Sequence, residues 1–413
     1  MDLPLTEIEL AAERIEDIAD RTPLLQSYTF SRFFQAEIYL KCENLQRTGS
    51  FKLRGAANKL AKLVSAGSSA PVVAASAGNH AQGVAYAATR CGISSTIVMP
   101  CAAPLAKIAA TSGYGATVVQ HGTCFDETVA KAQEICAETG ALFLHPYDDY
   151  DVIAGQATAG LELISQIPDP DIVLVPAGGG GLLAGVAAAV KQVNPKVRVI
   201  GVQAEGADAV ARSFHAKKRV TTESAVTLAD GIAVKTPGEL TTPLILKYAD
   251  EVITVSEESI LAAITLLAER SKMVVEGAGA VPIAALLERK LDVAGKKVVC
   301  LLSGGNIDIC TIQTVLQKGM IARHRWIELD IRYLESELSM SHILQIFADS
   351  GANLLSLTHN MMGHPADMNE QNLHVICEVR NIDHSNALIK MLRDQGCEVT
   401  DKIAELNLLL NDY

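Results

Sequence analysis

Several protein classes can be set aside by what this sequence lacks. Excess positive charge is absent: the net charge is −12, which leaves no electrostatic footprint for nucleic acid. No apolar run reaches membrane-spanning length, so no membrane partner is expected. No two of the nine cysteines form a CxxC pair, and their number is odd. This argues against a zinc cage or disulfide framework and for reduced thiols in a cytoplasmic protein, with no metal cluster expected. The opening MDLPLTEIELAAERIED is acidic and amphipathic, unlike a secretory signal peptide. Internal repeats and low-complexity segments are missing. Aromatic residues are scarce, at 4%, against a hydrophobic content of 49% carried largely by Ala, Val, Leu and Ile. That mix suits parallel sheets covered by small-residue helices. With 20% charged residues in 413, the chain has the balance of an ordinary folded protein, long enough for two or three domains.

What the sequence does have is alternation. A helix is expected over residues 5–18, broken at Thr22-Pro23-Leu24. Short buried strands are expected at 38–40, 72–75, 95–99, 116–120, 141–144, 171–175, 197–203 and 297–302. Helices are expected to about residue 63, then at 105–112, 126–139, 153–167 and 260–270. Strands alternating with helices of this length predict an α/β fold with wound parallel sheets. A smaller subdomain of about 50–150 is set into a larger one ending near 320. Beyond that point the Gly/Ala-rich character gives way to strands at 326–331, 353–358, 373–379 and 397–402, with helices at 341–350 and 384–395 and a loop at 361–370. This βαββαβ order predicts a ferredoxin-like domain over 325–413, with the hinge at 319–324.

Four strand-to-helix or strand-end turns carry chemistry. In Gly49-Ser50-Phe51-Lys52-Leu53-Arg54-Gly55, Gly49 reads as a turn and Ser50 as an N-cap, which places Lys52 in the first turn of a helix. The positive end of the helix dipole lowers the cost of deprotonating an amine there. Gly178-Gly179-Gly180-Gly181 follows a buried strand and opens a helix, a site for a phosphate held by backbone amides. The contiguous glycines do not fit the GxGxxG dinucleotide pattern. Ser76-Ala77-Gly78-Asn79-His80 is a second such turn, suited to a smaller anion such as a carboxylate. Asn79 also reads as a plain helix cap, and His80 as a satisfied helix histidine. Ser303-Gly304-Gly305-Asn306 ends a buried strand and offers a hydroxyl at the sheet's carboxyl edge.

Taken together and in order, SFKLRGA, SAGNHAQGVA, GGGGLLAG and SGGN closely resemble the threonine/serine dehydratase group of the fold-type II pyridoxal-phosphate enzymes. The resemblance runs over about residues 18–312, and the last ninety residues resemble an ACT domain. It implies two wound parallel-sheet domains followed by an ACT-type regulatory or dimerisation domain, with pyridoxal 5'-phosphate as cofactor. By the same resemblance, Lys52 and Ser303 are the catalytic pair, Lys52 binding the cofactor covalently and Ser303 facing the pyridine nitrogen. Phe51 and Gly231 flank the ring, Asn79 bonds its hydroxyl, and Gly178, Gly179, Gly180, Gly181 and Leu182 hold the phosphate. Ser76, Ala77, Gly78, Asn79 and His80 border the substrate carboxylate, and Glu276 is a ring-side carboxylate.

The implied activity is β-elimination of water from L-threonine and L-serine, giving a 2-oxo acid and ammonia in a homodimer or homotetramer. Serine racemase and 3-hydroxyaspartate dehydratase of the same family are alternatives, and a non-catalytic amino-acid-binding regulator is the alternative from another class. Racemases of this group carry a serine where this chain has Ala77, and alanine cannot move a proton. The acidic residues that hold a divalent cation in those relatives are incomplete in Gly206-Ala207-Asp208-Ala209-Val210-Ala211, which argues against a divalent site and leaves a monovalent cation as an open alternative. Leu334-Glu335-Ser336-Glu337-Leu338-Ser339 lacks the Pro-Gly loop with which ACT domains commonly bind an amino-acid effector, so the domain serves either an effector or dimerisation alone.

Overall fold

The computed structural model describes residues 2–360 and 370–402. It divides into two compact units, Met1–Ile307 and Asp308–Tyr413. The first unit holds two sheets. Six strands lie in the spatial order Leu24–Gln26, Glu37–Cys42, Lys297–Leu302, Ile172–Pro176, Arg198–Ala204 and Glu251–Val255. Their pairings are parallel except for the short edge strand Leu24–Gln26. The second sheet, ordered Thr117–Gln120, Ser95–Met99, Val72–Ala75 and Leu142–Phe143, is wholly parallel. Val72–Ala75 and Ile172–Pro176 are buried at every position, as continuous apolar strands covered on both faces must be.

Small residues let helices close onto one another. A Cβ on Gly185 of helix Gly181–Val193 would sit 2.7 Å from the Ile153 carbonyl of helix Tyr150–Gln166. Helix Lys52–Ser65 is gripped in the same way. A Cβ on Gly155 would meet the Arg54 carbonyl at 2.5 Å, and one on Gly83 of helix Asn79–Arg90 would meet the Leu53 amide at 3.1 Å. The turns at 76–78, 177–180 and 303–306 all follow the carboxyl ends of parallel strands, the edge where open α/β sheets bind ligands.

The second unit begins with helix Ile309–Ala322 and continues as an antiparallel four-stranded sheet, ordered Asn353–Asn360, Glu370–Glu378, Trp326–Leu334 and Glu398–Asp401. Helices Met340–Ser350 and Ile382–Asp394 complete the βαββαβ order. Strict alternation buries Ile327, Leu329 and Ile331 on one strand and Leu373, Val375 and Cys377 on the next, against Phe347 and Leu388 of the helices. The loop expected at 361–370 falls almost wholly outside the described residues.

Two expectations are corrected. The division between units lies at residue 307 and not at 319–324, because helix Ile309–Ala322 packs with strand Trp326–Leu334. Ser50 is not the N-cap of the lysine helix. Phe51 occupies that place with no side-chain cap, while Ser50 pairs through its backbone with Gly304. The turn is held by the neighbouring strand end and does not need the hydroxyl.

A buried ionic network anchors the start of that helix. Arg54 is fully buried and reaches both oxygens of Glu43 (2.7 and 2.9 Å) and both of Glu162 (2.7 and 2.9 Å). Buried Lys41 donates to Glu162 (2.8 Å) and to the Thr22 carbonyl (2.8 Å). Burial alone would raise the Glu43 carboxyl, but Arg54 and Lys41 outweigh it and hold the group below its usual value of 4.5. Its contribution to stability is therefore present at neutral pH and is lost as pH falls below the ordinary carboxylate range. Arg54→Met, which strands Glu43 without its main partner, is expected to lower unfolding free energy by roughly 3–5 kcal/mol in denaturant titration. Glu43→Gln should flatten the acid limb of the stability profile, and an unaltered limb would show that the pair does not carry it.

Candidate active site

The residues expected to catalyse or to bind cofactor and substrate meet at one cavity of about 650 Å³ in the first unit. Its lining includes Phe51, Lys52, Ser76, Ala77, Gly78, Asn79, His80, Gly178, Gly179, Gly180, Gly181, Leu182, Gly231, Glu276 and Ser303.

Lys52 begins its helix, and its Nζ donates to the Pro146 carbonyl at 2.9 Å, 5.3 Å from the centroid of the Phe51 ring. Burial lowers its amine to about 8, partly opposed by the charge of Glu276. Removal from water, more than the helix dipole invoked from sequence, is thus what makes a free amine accessible near neutral pH. The backbone around it is stitched to the end of strand Lys297–Leu302: the Phe51 N–H donates to the Ser303 carbonyl (3.1 Å) and the Gly305 N–H to the Gly49 carbonyl (2.9 Å).

The glycine run is shaped by close approach. A Cβ on Gly179 would fall 2.4 Å from the Tyr147 ring, and Gly180, at φ +97°, occupies the left-handed region. The Gly179 carbonyl is tied back by the Gly238 N–H (3.1 Å) and the Thr241 hydroxyl (2.8 Å). The amides of Gly178, Gly179, Gly180, Gly181 and Leu182 have no acceptor among the described residues. Five acceptor-free amides at the start of helix Gly181–Val193 present the kind of donor set that can hold an anion. In the second turn, the amides of Ala77, Asn79 and His80 likewise have no acceptor among the described residues, while the Gly78 N–H donates to the Ser76 hydroxyl (3.1 Å).

Polar side chains complete the lining. Asn79 Nδ2 donates to Glu276 Oε1 at 2.7 Å. Burial, reinforced by the charge of Asp230, raises the Glu276 carboxyl to about 7. Burial also drops the His80 ring to about 3, so it is neutral, and its Nε2–H donates to the Leu144 carbonyl (2.9 Å). Ser303, 2% exposed, lies at the strand end. Sequence reasoning missed Tyr147, Lys107, Asp230 and Asn306, which also line the cavity. Asn306 stood within a motif already noticed. Lys107 and Asp230 lie 3.7 Å apart from distant parts of the chain, and nothing local marks them.

A family model described as pyridoxal-phosphate dependent enzyme matches residues 15–304. The L-threonine ammonia-lyase of Thermotoga maritima is 45% identical over 397 residues, covering 96% of this chain and 99% of that protein. Among solved structures, a T.th. threonine deaminase superposes with a TM-score of 0.71 at 43% identity, over 74% of this chain and 99% of its own. Maize serine racemase superposes with a TM-score of 0.73 at 34% identity, over 78% and 98% respectively.

The depressed amine can be read directly. Limiting acylation of the unliganded chain should label Lys52 with a midpoint near pH 8, quantified by peptide mass spectrometry. A midpoint near the ordinary lysine value of 10.5 would show that burial does not act as described.

Proposed function

The chain belongs to the pyridoxal-phosphate-dependent enzymes, and from that premise we propose that it is a threonine ammonia-lyase that also accepts L-serine. The reading rests on one observation above the rest: a lysine amine with a value near 8 shares a cavity with five acceptor-free amides of a glycine turn. Bound there, pyridoxal phosphate supplies an aldehyde for the amine and an electron-withdrawing ring that acidifies the substrate's α-carbon.

The chain's residues divide the remaining work. The amides of Gly178 to Leu182 would hold the phosphate, Phe51 and Gly231 would flank the ring, and Asn79 and Ser303 would meet its polar edge, with Glu276 beside Asn79. The amides of the Ser76–His80 turn would orient the substrate carboxylate. Lys52 in its neutral form takes the α-proton at Nζ. The β-hydroxyl departs as water, and one water returns as the nitrogen is released as ammonia, leaving 2-oxobutanoate from threonine or pyruvate from serine. Ser303 is neutral and cannot hold a proton on the ring nitrogen as a carboxylate would. A less electron-poor ring favours prompt loss of the leaving group over transamination. Racemisation needs a proton carrier on the ring face opposite Lys52, and Ala77 offers none. The second unit, an antiparallel βαββαβ sheet domain, supports an ACT-like role in regulation or dimerisation. All nine cysteines are unpaired, which suits a reducing, cytoplasmic setting.

The test begins with the purified protein and pyridoxal phosphate. A visible absorption band abolished by borohydride, with 2-oxobutanoate released from threonine and no second substrate added, supports the lyase. A band without keto-acid release turns the reading toward a β-replacing enzyme, and neither signal turns it toward a binding protein. Lys52→Ala should lower kcat/KM by roughly 10²–10⁴-fold or more. Ser303→Asp should slow elimination and raise the share of transamination products, measured as keto acid against aminated cofactor. An unchanged ratio and rate would remove the role given to Ser303.

A further inference from the structure

Asn306 has no part in the functions assigned so far, yet three motifs close upon it. Its Nδ2 places both hydrogens, one on the Thr48 carbonyl (2.7 Å) and one on Asn79 Oδ1 (2.8 Å). With Oδ1 of Asn79 engaged from that side, its amide nitrogen is turned the other way and donates to Glu276 Oε1 at 2.7 Å. One Nδ2 hydrogen of Asn79 is then left over in the cavity lining. The seat of Asn306 is closely fitted. A Cβ on Gly49 would fall 2.3 Å from its Oδ1, and Gly49 has φ +73°. A Cβ on Gly304 would fall 2.3 Å from Glu276 Oε1 and 3.1 Å from Asn79 Nδ2. The Glu276 N–H donates to the Gly304 carbonyl at 3.0 Å. The lysine turn, the asparagine turn and the segment bearing Glu276 are thus registered against one amide.

We propose that Asn306 is a positioning residue that fixes the orientation of the Asn79 amide, so that a donor and not a carbonyl oxygen faces the ring oxygen of the bound cofactor. This rests on the pyridoxal-phosphate reading given above. Without Asn306, the contact left to the Asn79 amide is with Glu276, whose carboxyl can accept from Nδ2 or, once protonated, donate to Oδ1, so the amide can present either end. The charged groups around it are Glu276 in direct contact and Lys52, Lys107 and Asp230 in the same cavity. All four stay in place in the variants below.

Asn306→Asp replaces the donor nitrogen by an acceptor oxygen at equal size, opposing both the Thr48 carbonyl and Asn79 Oδ1. In the cofactor-loaded protein, the ring oxygen then loses a donor and is less stabilised as an anion. The pH midpoint of the visible band should move up by roughly one unit. The kcat for threonine should fall roughly ten- to a hundredfold while KM changes less than about threefold. In an Asn79→Ala background the same substitution should add no further movement of the midpoint, because its route of action is gone. If Asn306→Asp yields no folded protein, Asn306→Ala is read by the same two measurements. A midpoint unmoved by Asn306 substitution, or one that moves by the full amount without the Asn79 side chain, overturns the proposal. A parent protein with no visible band removes the cofactor reading itself, and the inference with it.

Discussion

Two residues beyond Lys52, the guanidinium of Arg54 is enclosed between Glu43 and Glu162, with Lys41 closing the circuit at Glu162. Two cations and two carboxylates meet where water scarcely reaches, and a single member left there alone would cost several kcal/mol. Lys41, Glu43 and Arg54 are buried, and Glu162 closes the cluster at its edge with its side chain 20% exposed. Glu43 follows strand Glu37–Cys42, Glu162 rides on helix Tyr150–Gln166, and Arg54 stands in the first turn of helix Lys52–Ser65. Satisfying the guanidinium therefore fixes the start of that helix against the sheet and its covering helix to within the tolerance of a hydrogen bond. Lys52 inherits its place from this arrangement.

The same helical turn shows the opposite treatment of a cation. Arg54 is compensated by carboxylates and stays charged. Lys52, largely withdrawn from water, donates to the Pro146 carbonyl beside the Phe51 ring and is pushed toward its neutral form. The difference lies in what the backbone admits beside each. Gly155 brings helix Tyr150–Gln166 against the Arg54 carbonyl, and with it Glu162. Gly83 brings helix Asn79–Arg90 against the Leu53 amide, and with it the turn bearing Asn79. A side chain at either glycine would separate the lysine from the neighbours that define its environment.

The parts of the fold legible in the sequence are those with a local physical signature. Apolar runs such as Val72–Ala75 announced strands buried on both faces. The βαββαβ order of strands and helices announced the sheet domain of the second unit. Glycine and small-residue turns after apolar strands announced where ligand-binding loops would lie. What escaped depends on meetings between distant residues. Ser50 carries the chemistry of an N-cap, but its backbone is claimed by Gly304. The extent of the second unit follows from where helix Ile309–Ala322 packs, which its own composition does not encode. Tyr147 stands in the polar stretch Tyr147-Asp148-Asp149-Tyr150-Asp151, and only the fold sets its ring against Gly179. Lys107 and Asp230 share a cavity without sharing any pattern.

The cavity also settles a conflict between two of its titrating groups, Lys52 and Glu276. An ionised Glu276 would hold a proton on Lys52, and a protonated Lys52 would favour the ionised carboxyl. Left in water, the two would form a charged pair through the whole neutral range, and the amine would be unavailable as a base. Desolvation acts on both in the direction that discharges them, lowering the amine to about 8 and raising the carboxyl to about 7. The Asn79 N–H pulls the other way on Glu276, stabilising its anion and keeping the carboxyl from rising further. The availability of the Lys52 amine therefore depends on the dryness of the pocket and on the hydrogen bond from Asn79 in opposite senses. A site that both grips Asn79 and buries Lys52 holds those two influences in balance near neutral pH.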